Sequence, residues 1–244
     1  MRRGAMKAAV QAVVLAGGLA TRMRPRTLTV PKSMLPVAGR PFVDWQLERL
    51  AACGFTEVVM CIAHMGEQIQ DHVGTGEQWG LCVLWSNDGG KLLGTAGAIR
   101  QASALLAPTF LVTYGDSYLP FDYAAPVRIL RENDDCDGVM TVFKNDGKWD
   151  ASNVVTDGAW VLRYEKGSRD PAIDHIDYGA IALRQSVIDR LPAGEAHGLD
   201  AVGRDLARQS RLRACVARER FFEIGSPEGL GDLEQHLSMR ALHP

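Results

Sequence analysis

Short β-branched runs alternate with amphipathic segments through the first half of the chain, and this constrains the fold more than any other feature. Such alternation is the sequence form of a parallel sheet covered by helices on both faces. The predicted strands are Val10 to Ala16, Glu57 to Ala63, Leu81 to Trp85 and Thr109 to Tyr114. Between the first two, apolar residues at Phe42, Trp45, Leu47, Leu50 and Ala51 mark one face of a helix over Phe42 to Cys53, closed by Gly54. Shorter helices are expected over Gly66 to Val73 and Ala96 to Leu106. After a helix near Tyr123 to Glu132 the pattern changes. Strands are expected at Gly138 to Phe143, Asn153 to Val155, Ala159 to Tyr164 and Ile176 to Leu183, with turn signals at Asn145-Asp146-Gly147 and Thr156-Asp157-Gly158. Helices recur at Ala201 to Arg208 and Pro227 to Met239.

Composition bounds the partners. With 244 residues, 46% hydrophobic and 23% charged, the chain fills one globular domain over 1–244 and is not intrinsically disordered. The β-rich stretch then reads as a small lid or ligand-binding part of that domain. Twenty-seven Lys+Arg against 29 Asp+Glu give a net charge of −2, so no excess positive field holds the molecule on nucleic acid or an anionic membrane. A small-molecule partner is expected instead, and a homo-oligomer is left open. No apolar run approaches the ~20 residues of a membrane span, and Met1-Arg2-Arg3-Gly4-Ala5 lacks the apolar core of a signal peptide. The expected location is the cytoplasm. Five cysteines without CxxC spacing read as reduced thiols, and six scattered histidines form no metal-ligand spacing.

The segment from Val13 to Val37, VVLAGGLATRMRPRTLTVPKSMLPV, carries the chemistry. A buried strand ends at Leu15-Ala16, and Gly17-Gly18 allow backbone N–H groups to approach a ligand closely. Thr21, Arg22, Arg24, Arg26 and Lys32 then gather cationic and polar groups at the carboxyl end of a strand, where open α/β sheets bind ligands. This is a polyphosphate cradle. Neither G-x-x-x-x-G-K-[ST] nor G-x-G-x-x-G with a following acidic residue is present, which argues against a P-loop NTPase and a nicotinamide dehydrogenase. Other candidate positions are a Gly94-Thr95 helix start and Asp116, a carboxylate placed to ligate Mg²⁺ beside a triphosphate.

Leu15 to Pro36 closely resembles the signature L-A-G-G-x-[GA]-T-R-[LM]-x-P-x-T-x-x-x-P-K-x-[ML]-x-P of sugar-1-phosphate nucleotidylyltransferases, and the resemblance continues from about Ala12 to Leu237. It implies a Rossmann-like α/β fold of the GT-A-like nucleotidyltransferase type, with a nucleotide-binding half over about 8–120 and a sugar-binding half over about 121–244. It also implies the reaction NTP + sugar 1-phosphate → NDP-sugar + pyrophosphate with Mg²⁺, serving cell-surface polysaccharide precursors. Carried over residue by residue, Arg22 and Lys32 are catalytic, and Leu15, Ala16, Gly17, Gly18, Thr21, Gly94 and Thr95 bind nucleotide. Asn153, Glu165, Lys166, Asp177 and Gly179 bind the sugar phosphate, while Asp116 and Glu223 hold the metal.

The chain departs from the family pattern at three places. Glu223 stands where the family usually has Asp, Ala151-Ser152-Asn153 replaces a Tyr-Gly pair, and Gly167 rather than Pro follows Lys166. Leu93 to Ile99 and Gly115 to Tyr118 resemble D-glycero-D-manno-heptose 1-phosphate guanylyltransferases, whereas Gly66 to Gly80 resemble N-acetylmuramate 1-phosphate uridylyltransferases. The first is favoured, possession of GTP chemistry going with it. Base selection is expected near Asn87 and Asp88. The Glu223 departure keeps open a non-catalytic nucleotide-sugar sensor on the same fold.

Overall fold

The computed structural model describes residues 10–91, 93–168 and 170–242. The first half runs β1 (Gln11–Leu15), β2 (Pro36–Val37), β3 (Arg40–Pro41), α1 (Phe42–Ala52), β4 (Glu57–Ile62), α2 (Gly66–Val73), β5 (Cys82–Asn87), α3 (Gly94–Gln101), β6 (Thr109–Tyr114) and β7 (Ser117–Tyr118). The second half runs α4 (Ala124–Glu132), β8 (Gly138–Lys144), β9 (Val154–Thr156), β10 (Val161–Tyr164), β11 (His175–Arg184), α5 (Gln185–Asp189), α6 (Leu199–Arg208), β12 (Leu212–Ala217), β13 (Phe222–Glu223) and α7 (Pro227–Leu242). None of the described helices is long and apolar enough to cross a membrane.

Strand β1 shows why the sheet is doubly covered. Its alternate residues enter opposite cores, Ala12 and Val14 on one face and Val13 on the other, all fully buried. The first face packs against Leu47 of α1, Ile69 of α2 and Leu130 of α4; the second packs against Ile99 of α3, Ile188 of α5 and Leu206 of α6. Helix α1 buries Phe42, Val43, Gln46, Leu47 and Leu50, a 3.6-residue stripe, and ends at Gly54 with φ +83.

Nine strands form the mixed central sheet. Strands β5, β4, β1 and β6 are contiguous and parallel, and β11 then pairs antiparallel with β6 and with β8, whose outer neighbour β12 is parallel. The β-rich second half therefore extends the main sheet rather than forming a layer of its own. The β9–β10 hairpin is attached at the edge, joined to β11 through the single pair His175↔Val154. Strand β12 is not among the predicted elements. Its burial alternates incompletely, with Arg213 and Cys215 half-buried and Val216 exposed, so its apolar pattern is broken.

A contact distant in sequence fixes the edge of the cleft at the carboxyl ends of the parallel strands. The segment 195–198 lies against the start of α3, where the His197 carbonyl accepts the N–H groups of Ala96 (2.9 Å) and Gly97 (3.2 Å). The His197 N–H donates in turn to the Leu93 carbonyl at 2.9 Å, and Leu199 N–H donates to Thr95 Oγ1 at 2.7 Å. Helix α3 begins at Gly94 rather than the predicted Ala96, and the first residue must be glycine, since Gly94 has φ +68 and a Cβ there would stand 2.6 Å from the His197 carbonyl oxygen. Replacing Gly94 by Ala is therefore expected to lower stability by roughly 1–3 kcal/mol, read as a shift of the urea midpoint. An unchanged midpoint would show that this contact yields at no cost.

Candidate active site

The site begins where β1 and β6 end side by side. Leu15 is in register with Tyr114, and Gly115 N–H donates to the Leu15 carbonyl at 2.9 Å, so Gly17-Gly18 and Asp116 emerge at the same edge. A Cβ on Gly17 would lie 3.1 Å from that of Ala63, whereas one on Gly18 would meet nothing within 4 Å. Gly17 thus packs against the sequel of β4, and Gly18 faces open space.

The basic loop that follows has a core of its own. Met23, Leu35 and Val37 are buried against Leu230, Leu233 and Leu237 of α7, together with Phe42 and Ile224. Thr27 Oγ1 donates to the Ala20 carbonyl and Ser33 Oγ to the Gly115 carbonyl, both at 2.8 Å. Its cationic residues are therefore carried on a fixed backbone.

Two chambers meet at this edge. The first, of about 490 Å³, is walled by Leu15 to Gly18, Gly94-Thr95, Asp88, Lys32 and His197. The second, of about 700 Å³, is walled by Arg22, Asn153, Lys166, Asp177, Gly179 and Glu223. Thr95, Tyr114 and Asp116 line both. Of the residues expected at the site, Thr21, Arg24, Arg26, Asn87 and Glu165 lie outside both walls; each is exposed, and Glu165 meets Asn153 through its backbone, its N–H donating to the Asn153 carbonyl at 2.8 Å. Arg22 borders the second chamber and not the first.

In the second chamber a bulge in β11 between Asp177 and Ile181 sets the wall, and Gly179 within it has φ +87. Asp177 is held from three sides. Its Oδ1 accepts Gly179 N–H at 3.0 Å, its Oδ2 accepts the Tyr164 hydroxyl at 2.8 Å, and its N–H donates to Asn153 Oδ1 at 2.8 Å. Asn153 therefore acts here by positioning Asp177. Sequence reasoning missed Tyr114, His197 and Asp200, which line the chambers. For Asp200 the available signal was Gly198-Leu199-Asp200, an acidic first turn after glycine, which sets the start of α6 at Leu199 rather than Ala201.

Between the chambers, Lys32 Nζ pairs with Asp116 Oδ2 at 2.7 Å. Strand β13 runs antiparallel to β7 with Glu223 opposite Ser117, and Ile224 N–H donates to the Asp116 carbonyl at 3.0 Å. This places the Glu223 carboxyl beside that of Asp116. Burial pushes the Glu223 pKa up to about 7, with the charges of Asp116 and Asp150 adding to the effect and Lys32 and Arg22 opposing it.

Residues 11–238 match the model of the nucleotidyl transferase family. The chain belongs to the nucleotidyl transferase family. It is 44% identical over 117 residues to an N-acetylmuramate alpha-1-phosphate uridylyltransferase of Neisseria meningitidis, covering 48% of this chain and 51% of that protein. Identity to a mannose-1-phosphate guanylyltransferase of Mycobacterium tuberculosis is 33%, over 76% of this chain and 52% of the relative. A D-glycero-alpha-D-manno-heptose 1-phosphate guanylyltransferase of Campylobacter jejuni is 25% identical over 90% of this chain and 96% of its own length. The match thus spans about half the length of the first two relatives. Among solved structures, HddC from Yersinia pseudotuberculosis complexed with GMP-PN superposes with a TM-score of 0.76 at 23% identity, covering 93% of this chain and 99% of that one. A UDP-glucose pyrophosphorylase from Acinetobacter baumanii gives 0.77 at 14% identity, covering 97% and 95%. These structures show that the fold is the GT-A-like one of nucleotidyltransferases.

The buried carboxyl of this nucleotidyl transferase has a thermodynamic signature. Because its pKa is higher in the folded than in the unfolded chain, Glu223 contributes most favourably below the ordinary value of 4.5, and that contribution is lost as pH rises through about 7. In chelator-treated protein, the melting temperature of wild type relative to Glu223→Gln should fall between about pH 5 and about pH 8. Parallel profiles for the two proteins would show that Glu223 ionises as freely as in water.

Proposed function

We propose that this chain transfers a nucleoside monophosphate from an NTP to a sugar 1-phosphate, releasing pyrophosphate. The observation that carries the reading is the pair of chambers joined at Asp116 and Tyr114, one bordered by the glycine loop and the other by Lys166 and Asp177. The nucleotide occupies the first chamber, drawn mainly from residues 8–120, and the sugar phosphate the second, drawn mainly from 121–244. A phosphate oxygen of the sugar 1-phosphate attacks the α-phosphorus, and the bond from that phosphorus to the bridging β-phosphate oxygen breaks. The attacking phosphate is already ionised near neutral pH, so alignment and charge neutralisation are the tasks left to the protein.

The backbone at Leu15, Ala16, Gly17 and Gly18 receives the nucleotide, with Gly94 and Thr95 as a close wall. Arg22, exposed beside Glu223, neutralises the reacting phosphates from the second-chamber side. Lys32 has three ammonium donors, so its bond to Asp116 leaves others for phosphate oxygens. Lys166 anchors the acceptor phosphate, and Asp177 orients sugar hydroxyls. Glu165 acts at most from outside the chamber wall.

Asp116 and Glu223 fit a Mg²⁺ ion. They are hard oxygen donors brought together, and the raised pKa of Glu223 marks a place where negative charge lacks compensation. Among the described residues no group of three or more His, Cys, Asp or Glu could hold a metal ion, so Mg²⁺ held by Asp116 and Glu223 would take its remaining positions from phosphates and water. When bound there, Mg²⁺ supplies charge neutralisation and orientation at the transferred phosphate.

Within this class we favour a heptose or hexose 1-phosphate guanylyltransferase making cell-surface polysaccharide precursors in the cytoplasm. The 44% identity over 117 residues to an N-acetylmuramate alpha-1-phosphate uridylyltransferase supports a second reading, uridylyl transfer to N-acetylmuramate or another hexose 1-phosphate. A matrix of nucleoside triphosphates against sugar 1-phosphates, read by pyrophosphate release with Mg²⁺, decides between them. Nucleotide binding without pyrophosphate release across the matrix would identify a sensor.

Two variants test the assigned roles. Arg22→Ala is expected to lower kcat by a factor of order 10²–10³, because a charge on the reacting phosphates acts mainly in the transition state. Retention of half the wild-type kcat at saturating substrates would remove Arg22 from the chemistry. Lys166→Ala should raise KM for the sugar 1-phosphate about tenfold or more while leaving KM for the nucleotide nearly unchanged. Equal changes in both would reject its assignment to the acceptor.

A further inference from the structure

The loop between β8 and β9 carries Asp150 and Ala151, two residues of the second chamber's wall. Asn145, buried at the base of this loop, organises its backbone. Its Oδ1 accepts the Trp149 N–H at 3.1 Å, and its Nδ2 donates to the Asp150 carbonyl at 2.6 Å and to Ser152 Oγ at 3.0 Å. These bonds fix the main chain but not the Trp149 ring, which stays 41% exposed and outside the core.

The ring is held from outside the loop. The Arg220 guanidinium stacks on it, 3.8 Å from the ring centroid, and lies 4.5 Å from the ring centroid of Phe222 on β13. Arg220 is itself fixed, donating to Asp232 of α7 at 2.9 Å and to the Phe221 carbonyl at 3.3 Å. One planar cation thus bridges an aromatic ring of the loop and one of the strand, a task that suits a guanidinium better than an ammonium. Phe221 and Glu223 line the second chamber too, so the stack joins two parts of its wall.

What the loop presents there is a charge without a partner. Of the other carboxylates on this wall, Asp116 pairs with Lys32, Asp200 pairs with Arg204 at 3.0 Å, and Asp177 accepts the Tyr164 hydroxyl. The Asp150 carboxylate has no hydrogen-bond or ion-pair partner among the described residues. Such a group accepts hydrogen bonds from the hydroxyls of a neutral sugar and repels a second anion.

We propose that Arg220 and Trp149 are positioning residues that hold Asp150 at the acceptor, and that Asp150 restricts the acceptor to sugars bearing no anion besides the phosphate. The proposal rests on the reading of the second chamber as the sugar 1-phosphate site and deepens it. Lys166 and Arg22 are the cations among the lining residues, and both are taken by phosphate in that reading. None remains for a carboxylate on the sugar, so the selection works by repulsion rather than by an added contact. N-acetylmuramate carries such a carboxylate, and a neutral heptose or hexose does not.

Pyrophosphate release tests this with two acceptors: the best-used neutral sugar 1-phosphate of the activity matrix, and its counterpart whose terminal hydroxymethyl group is oxidised to a carboxylate. Wild type should use the neutral sugar with a kcat/KM about tenfold or more above that of the acid. Asp150→Asn should shrink this ratio about five- to tenfold, through a lower KM for the acid. Trp149→Ala should shrink it in the same direction and raise KM for the neutral sugar about three- to tenfold, with KM for the nucleotide unchanged. Trp149→Tyr keeps a ring for Arg220 and should stay within about twofold of wild type. An acid used as well as the neutral sugar by wild type, or a ratio unmoved in Asp150→Asn, overturns the role of Asp150. A ratio that moves in Asp150→Asn but not in Trp149→Ala, or nucleotide and acceptor KM rising together in Trp149→Ala, overturns the positioning role. The wild-type ratio needs no variant, so the proposal stays testable even if a variant misfolds. Absence of pyrophosphate release with every sugar 1-phosphate is a different result: it removes the acceptor from the chamber and this assignment with it.

Discussion

The parallel register of β1 against β6 is the constraint on which both chambers depend. With Leu15 opposite Tyr114, the glycine loop and Asp116 leave the sheet at one level. A slip of one residue would exchange the core faces of Ala12 and Val14 with that of Val13, and since all three are fully buried the register is strongly specified. Gly115 lets the two chains stay this close past the strand ends: a Cβ there would lie 3.0 Å from both Ala16 Cα and the Leu15 carbonyl oxygen. On its other side β6 pairs with β11, Thr113 opposite Ala180, so the Gly179 bulge also falls beside Tyr114. One strand therefore borders the first chamber through β1 and the second through β11, and its end is the shared wall.

Electrostatics at that wall are unbalanced in a definite direction. Asp116, Asp150, Asp177, Asp200 and Glu223 all line the second chamber, against Arg22 and Lys166. Burial first, and then the charges of Asp177 and Asp200, push the phenols of Tyr114 and Tyr164 well above the usual range, so both stay protonated. Tyr164 uses this to hold Asp177. Burial first, and then the charges of Asp116 and Asp150, make Glu223 reluctant to ionise. The substitution of Glu for Asp thus leaves at the junction a carboxyl that is protonated more readily than usual.

Local patterns were legible in the sequence where one segment supplies all the determinants. The stripe of α1, the buried strand β1 and the glycine loop each announce themselves within a few residues, and the structure brings most of the expected site residues to two connected walls. What stayed hidden depends on pairing between distant segments. His197 lies about a hundred positions from the helix it closes on, and no motif connects it to that helix. Strand β12 escaped because its partner β8, rather than its own hydrophobicity, makes it a strand. Thr21 and Glu165 lie outside both walls. Their residue types suited phosphate and sugar, but Thr21 starts a short turn that faces solvent, and Glu165 engages Asn153 through its backbone while its side chain stays exposed.

The start of α3 shows how one sequence signal can have a different physical cause. Gly94-Thr95-Ala96-Gly97 reads as a helix N-terminus kept small so that its free N–H groups can meet a ligand. The structure gives those donors to the protein itself, with Ala96 and Gly97 both bonded to the His197 carbonyl. The small residues are needed for that approach, since a Cβ on Gly97 would stand 2.8 Å from the Glu195 carbonyl oxygen. Two of the helix's first N–H groups are thereby taken by the protein, and the segment from the second half of the chain becomes a wall of the first chamber. The loop after β1 differs, since Gly18 leaves its backbone open on one side. The two glycine-rich segments therefore use their missing side chains in opposite ways: one closes the chamber wall against residues 195–198, and the other leaves the wall open.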